Sequence, residues 1–204
     1  MRCVRVSVRT WSSVIMVGVM ELVAMAALAD DAHLQRAATT LRIEAAAANT
    51  TADRLTLRVT IDNGSGACSP LYIDPALSPF QLPGRGLAKL TLTIRSDAGR
   101  IIEPLEVAVP DLIKLTPDRL LLLGCSAFYG VNIRPGASMW RYDLRPGTYT
   151  VQAALDLNTA SAISLDEPTI RLLASRAAIR PTEVARSLRP LKLISNTIAV
   201  RVVK

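Results

Sequence analysis

The sequence predicts an all-β fold, an antiparallel sandwich of two sheets. Apolar and polar residues alternate with a period of two in several short segments, which is the pattern of half-buried strands. Pro, Gly, Asn and Asp clusters separate these segments at short intervals. No helical pattern alternates with them, as a parallel α/β sheet would require.

The first strands are predicted at residues 41–45 and 55–62. In the second of these, Leu, Leu, Val and Ile alternate with Thr, Arg, Thr and Asp, so that one face is apolar. A turn composition, Asn63-Gly64-Ser65-Gly66, follows. Residues 90–96 and 100–102 are predicted to form a hairpin, because Asp97-Ala98-Gly99 places glycine where a positive φ is useful.

The middle of the chain contains an uninterrupted apolar run at residues 120–130, which predicts a strand buried on both faces. The proline-rich residues 78–86 predict an exposed loop. After Arg134-Pro135-Gly136, Trp140 and Tyr142 alternate with polar residues and are expected to fill the core.

The last two strands are predicted at residues 148–155 and 195–203. Between them, residues 163–190 form a predicted insertion, with helical stretches at 169–177 and 182–188. Loops of this length are uncommon in compact domains unless they have a function. The insertion is therefore the expected binding surface.

The N-terminus has the pattern of a secretory signal peptide over residues 1–29. Arg2, Arg5 and Arg9 form a basic region, residues 14–20 are apolar, and Ala27-Leu28-Ala29 fits a cleavage site after Ala29. Glu21 departs from the pattern. Cleavage would leave residues 30–204 as a single sandwich domain without a membrane span, located in the periplasm or outside the cell.

Two of the three cysteines, Cys68 and Cys125, would remain after cleavage. A pair in an exported chain predicts a disulfide, with two buried free thiols as the alternative. The bond would close a loop of about 58 residues. The chain-entropy model gives a stabilisation of the folded state of roughly 4 kcal/mol for a loop of this length. Neither cysteine has the C-x-x-C spacing of a redox or zinc site.

Residues 1–29 carry three Arg and one Glu, so their removal lowers the formal charge from +7 to +5, a mild excess. Together with export, this makes nucleic acid an unexpected partner. Much of the excess lies late in the chain, where Glu183 is the sole acid of residues 169–192. This segment is either a solvated face or a contact for an anionic envelope surface or acidic partner. Its basic residues are Arg171, Arg176, Arg180, Arg186, Arg189 and Lys192.

Catalytic groups are sparse. His33, the single histidine, lies near the predicted mature N-terminus, so that a Ser-His-Asp triad, a Cys-His pair and a His-ligated zinc site all lack a partner. We therefore expect no enzyme activity, cofactor or metal. Carboxylate pairs for glycoside hydrolysis are conceivable, but their positions are typical of turns. The pairs are Asp62 with Asp74, and Asp156 with Asp166.

Residues 144–155 (LRPGTYTVQAAL) followed by SNTIAVRV resemble the final two strands of bacterial immunoglobulin-like domains. Leu144 and Tyr149 look like a tyrosine corner, in which the phenol hydroxyl bonds to nearby backbone. The earlier order of strands and turns is similar to the pro-domain of deuterolysin-like zinc peptidases and to the sandwich of bacterial proteinase inhibitors. The resemblance covers residues 41–156 and the last ten. It implies an immunoglobulin-like architecture and no peptidase activity, since the HExxH helix is absent.

Three functions follow as hypotheses. The leading one is an exported, non-enzymatic interaction module that binds an envelope protein or peptide through a loop end or a sheet edge. The second is a secreted proteinase inhibitor that presents the proline-rich loop from Pro75 to Pro83. The third is a carboxylate-based hydrolase of envelope polysaccharide.

Overall fold

The computed structural model describes residues 39–64, 69–75, 77, 88–105, 116–136, 140–157, 163, 165–188 and 190–204. These residues form ten strands, a 3₁₀ turn at Pro117–Arg119 and two α-helices. The strands are β1 (Thr39–Ala45), β2 (Asn49–Thr51), β3 (Leu57–Asn63), β4 (Leu71–Ile73), β5 (Lys89–Ser96), β6 (Ile101–Ile102), β7 (Leu121–Leu123), β8 (Ala127–Ile133), β9 (Gly147–Leu157) and β10 (Leu191–Val203), and the helices are α1 (Glu167–Ala177) and α2 (Pro181–Ser187).

The strands are arranged in three sheets. The first sheet has the order β1-β3-β8, the second sheet has the order β2-β10-β9-β5-β6, and β4 pairs with β7 in a two-stranded ribbon. All pairings within the described residues are antiparallel except that of β2 with β10. The predicted antiparallel β fold is therefore confirmed, and so is the hairpin of β5 and β6.

One apolar core joins the three sheets. Its residues occupy alternate positions along β1, β3, β5, β9 and β10, so the period-two pattern marks the buried faces correctly. Val200 and Val202 are buried as predicted, whereas Ile198 is half-buried. The largest fully buried side chains are Ile43, Leu55, Leu57, Ile61, Leu71, Ile73, Leu90, Ile94, Ile133, Leu155, Leu157 and Leu173.

The apolar run at residues 120–130 is not one strand, and that prediction is wrong. The chain turns at residues 124–126, where Ser126 takes a left-handed φ of 62° and its N–H donates to the Asn63 carbonyl at 2.7 Å. The run therefore supplies β7 to the ribbon and β8 to the first sheet. The sequence shows one uninterrupted apolar segment because both strands consist largely of apolar residues. Only one face of β8 packs against the core.

Trp140 and Tyr142 lie in the core as predicted, but outside any regular strand. The Trp140 indole N–H donates to the Leu90 carbonyl at 3.2 Å, and the Tyr142 hydroxyl donates to the Leu92 carbonyl at 3.1 Å. Each ring thus buries its apolar body against β5 and satisfies its polar group there.

The predicted helical insertion before the last strand is confirmed. The Asp166 carboxylate accepts a hydrogen bond from the Thr169 N–H at 3.0 Å and caps α1, while Pro181 opens α2. The helices cover the outer side of the ribbon, where the Tyr72 hydroxyl donates to the Leu173 carbonyl at 2.8 Å. This second core comprises Tyr72, Leu120, Ile163, Leu173, Ala174, Val184 and Leu188.

A side-chain amide links the two larger sheets. The Asn196 Oδ1 atom accepts from the Ile43 N–H at 2.9 Å, and its Nδ2 donates to the Ile43 carbonyl at 3.0 Å. Asn196 lies in a bulge of β10, where the register against β9 shifts between Ile194 and Thr197. The neighbouring Ser195 Oγ accepts from the Ala153 N–H at 2.8 Å. The bulge therefore ties β10 to β9 and, through Asn196, to β1.

A second amide links the first sheet to the ribbon. Asn63, fully buried at the end of β3, accepts from the Thr39 hydroxyl at 2.9 Å. Its Nδ2 donates to the carbonyls of Ser69, Leu123 and Gly124 at 3.0–3.2 Å. A buried amide that is satisfied in this way fixes the geometry of every segment it contacts.

We expect Asn196→Ala to lower the free energy of unfolding by about 2 kcal/mol, because it leaves the N–H and carbonyl of Ile43 without this partner. Urea denaturation measures the change. Thr197→Ala, at an exposed position one residue later, is the matched control and should change stability by less than about 0.5 kcal/mol. Equal effects of the two substitutions would contradict the proposed link.

Asn63→Ala should be more damaging, with a loss of about 3 kcal/mol, since it removes a fully buried amide and leaves several carbonyls unsatisfied. Asn132→Ala, on the exposed face of β8, is the control. A stability loss for Asn63→Ala no greater than that of the control would contradict this account.

Burial raises the pKa of Tyr142 to about 12, and the Glu103 carboxylate acts in the same direction. Tyrosine in the unfolded chain ionises near pH 10, so the folded state holds this proton more tightly. The contribution to stability is fully present below about pH 10 and is lost as the pH rises towards 12.

Urea denaturation from pH 8 to 12 should therefore show a shallower loss of stability in Tyr142→Phe than in the wild type. Parallel pH profiles for the two proteins would show that Tyr142 does not carry this linkage.

Candidate interaction edge

Strand β8 forms one edge of the first sheet. It pairs with β3 along one side, and among the described strands none pairs with its other side. The opposite edge of this sheet, β1, is covered at Ile43 by the Asn196 amide. The edge strands of the second sheet, β2 and β6, have three and two residues, whereas β8 has seven.

The composition of β8 leaves this edge without the usual protection. Edge strands commonly carry Lys, Pro or an inward charge that prevents pairing with another chain. The sequence of β8 is AFYGVNI, which contains no charged residue and no proline. A long, neutral edge of this kind is competent for strand addition.

The register shows which backbone groups of β8 point away from β3. Because the N–H and carbonyl of Ile43 bond to Asn196, Ile43 and Val59 form a non-hydrogen-bonded pair. The bond from the Ala46 N–H to the Thr56 carbonyl, at 2.9 Å, agrees with this alternation. Val59 therefore directs its polar groups to Val131, its partner on β8.

It follows that Phe128, Gly130 and Asn132 direct their N–H and carbonyl groups to the open edge. The same residues are exposed, whereas Tyr129 and Val131 are half-buried against the core. At these three exposed positions the backbone groups therefore point away from β3, on the side where none of the described strands pairs with β8.

Phe128 is the most exposed large apolar side chain among the described residues, at 74%. Two residues along on the same face, Gly130 has no side chain. A Cβ placed there would lie at ordinary van der Waals distances, 3.7 Å from the Thr60 Oγ1 atom and 3.9 Å from the Val59 carbonyl oxygen. As predicted, Phe128 and Tyr129 point to opposite faces. The Tyr129 hydroxyl donates to the Pro75 carbonyl at 2.9 Å, and burial raises the pKa of this phenol, with the Asp74 charge acting in the same direction.

The predicted cysteine pair is described in part. Cys125 lies exposed in the turn before β8. Cys68 lies outside the described residues, so the Cys68–Cys125 pairing stays a prediction. Ala29, His33 and the rest of the predicted signal peptide also lie outside them, as does most of the loop between Pro75 and Pro83.

The four candidate carboxylates occupy different environments. Asp62 lies on the outer face of β3 opposite Phe128, and Asp74 is buried after β4 at 3% exposure. The Asp156 carboxylate lies 3.5 Å from the Lys192 ammonium, and Asp166 caps α1. The hydrogen bonds from Thr169 hold the pKa of Asp166 below its usual value. Asp156 and Asp166 thus have structural contacts.

The described residues contain neither a cluster of metal-ligating side chains nor a membrane-spanning helix. Across those residues, no group of three or more His, Cys, Asp and Glu side chains is placed to hold a metal ion. Likewise, none of the helices in the described ranges is long and apolar enough to cross a membrane.

The basic insertion presents less open charge than its sequence suggests. Arg171 pairs with Glu167, and the Arg180 guanidinium lies 2.7 Å from the Glu183 carboxylate. The Arg176 guanidinium donates to the Asp118 carbonyl at 2.9 Å and ties α1 to the 3₁₀ turn. Lys192 belongs to β10, and Arg189 lies outside the described residues.

Sequence reasoning placed the binding surface in the insertion and did not single out the edge of β8. The signal it overlooked was the absence of charge and proline in residues 127–133.

Comparison with known proteins adds no family to this description. Neither a scan of protein-family models nor a search of curated proteins finds a match to the chain.

Proposed function

We propose that this chain is an exported, non-enzymatic interaction module of the bacterial envelope that binds an extended peptide segment of a partner protein along the open edge of β8. The observation that carries the proposal is the outward direction of both backbone and side chains at Phe128, Gly130 and Asn132. Export rests on the signal-peptide pattern of residues 1–29 and places the protein in the periplasm or outside the cell.

Strand addition uses the backbone for affinity and the side chains for selection. A partner segment in extended conformation would bond to the N–H and carbonyl groups of the three outward residues of β8. Gly130 leaves room beside Phe128 for an apolar side chain of the partner. Because β8 has no charge of its own, we expect selection for apolar residues at every second position of the peptide.

An immunoglobulin-like classification belongs to the same proposal. The bond that the tyrosine-corner resemblance implies is present, since the Tyr149 hydroxyl donates to the Arg145 carbonyl at 2.8 Å. The Ser195-Asn196 pair lies in β10 as a bulge that contacts both larger sheets. These contacts support the resemblance of residues 144–155 and 195–202 to the closing strands of such modules.

The experiment is selection from a displayed library of random short peptides on the chain from residue 30 to residue 204, followed by fluorescence anisotropy with a selected synthetic peptide. We expect enrichment of peptides with apolar residues at alternate positions. Gly130→Pro should weaken binding roughly tenfold, because it removes an N–H at the open edge, a loss comparable to one backbone hydrogen bond. Proline is tolerated at edge positions whose N–H faces solvent.

Phe128→Ser is the second test variant, and it leaves the backbone of β8 intact. We expect it to weaken binding by roughly tenfold as well, since an exposed aromatic side chain is a typical anchor. Ile194→Ser is the matched control, because Ile194 is exposed to 70% on the second sheet. Failure to enrich any peptide, or equal binding by wild type and both β8 variants, would reject the proposal.

A further inference from the structure

The outer face of the second sheet carries a separate surface, which we call the cationic face. It comprises the outward residues of β5, β9 and β10, which register in rows across the three strands. Basic residues stand near both ends of β5 and of β10, and the acidic residue of the face is Asp156. The basic residues are Lys89, Arg95, Lys192 and Arg201.

The interior of the cationic face is uncharged. Its central rows are Thr91–Ala154–Ile194 and Thr93–Gln152–Thr197. Ile194 is exposed to 70% although it lies beside Lys192 in a groove of about 270 Å³ that Lys89 and Asp156 also line. An exposed apolar side chain framed by cations is typical of surfaces that bind at a membrane interface.

Charge is distributed differently on the outer face of the first sheet. There Arg42 and Arg58 are matched by Glu44 and Asp62, and the registered pair of Glu44 and Arg58 places opposite charges side by side. In the insertion, Arg171 and Arg180 contact carboxylates and Arg176 contacts a backbone carbonyl. The unbalanced positive charge of the described strands thus lies on the cationic face.

The dimensions of the cationic face suit a planar partner. Lys89 and Arg95 are six residues apart, a span of about 20 Å along a strand, and β5 and β10 are separated by two strand spacings, about 10 Å. Four cations therefore surround an uncharged central area with the exposed Ile194 at one end. We propose that the cationic face docks on an anionic phospholipid bilayer, with the basic residues at the headgroups and Ile194 at the interface.

Binding should be weak and strongly dependent on salt. A basic residue near an anionic bilayer contributes a factor of roughly fivefold to affinity, and this factor is screened within a Debye length. Asp156 offsets one of the four cations. Pure zwitterionic bilayers should therefore retain little protein.

The test is sedimentation of residues 30–204 with sucrose-loaded vesicles of phosphatidylcholine, with and without about a third of phosphatidylglycerol. We expect binding to the anionic vesicles at about 20 mM salt and a loss of at least fivefold at about 300 mM. The double variant Arg95→Gln/Arg201→Gln should bind roughly 25-fold more weakly. Ile194→Ser should weaken binding severalfold on its own.

The matched control is Arg42→Gln/Arg58→Gln, which removes the same charge from the outer face of the first sheet. This control and Phe128→Ser should bind vesicles like the wild type, so that the outcome does not depend on peptide binding at β8. Equal losses for the two double variants would show an effect of net charge alone and would overturn the proposal. No binding to anionic vesicles at low salt, by a protein that unfolds cooperatively, would also overturn it.

Discussion

The bidentate bond between the Asn196 amide and the Ile43 backbone is the contact on which the arrangement of the two larger sheets depends. Both polar groups of Ile43 are used, so the amide takes the place that a neighbouring strand would otherwise fill. This has two consequences. The edge of β1 is covered at its centre, and the alternation of hydrogen-bonded pairs across β1, β3 and β8 is fixed. The same alternation sets which residues of β8 direct their backbone groups away from β3.

Asn63, the last residue of β3, links the first sheet to the ribbon in the same way that Asn196 links the two larger sheets. Its amide contacts the start of β1, the approach to β4 and the end of β7, so the ribbon has a defined position against the first sheet. The ribbon in turn supports the helices, because Tyr72 projects from it into the second core. Burial of an amide is unfavourable unless every group is satisfied, and for this reason such residues specify one arrangement among several of similar apolar content.

The two outer faces of the molecule differ in kind. On the first sheet, charges alternate and the notable features are an exposed aromatic ring and a strand edge with which none of the described strands pairs. On the second sheet, cations border an uncharged area that contains several threonines. A module that holds an extended peptide on one sheet and rests on an anionic bilayer with the other would present its ligand close to the membrane. The helices lie on the ribbon and leave both faces free for these contacts.

The sequence by itself determined most of the longer strands and which of their faces are buried, because the side-chain period of a strand is local. It located β1, β3, β5, β9, β10 and both helices, and it placed Trp140 and Tyr142 in the core. It could not divide residues 120–130 between two sheets, because an apolar run looks the same whether one strand or two bury it. Nor could it identify β8 as an open edge or the second sheet as the cationic face. Both properties depend on which strands become neighbours, and that choice is made by contacts between residues far apart in the chain, such as Asn196 with Ile43.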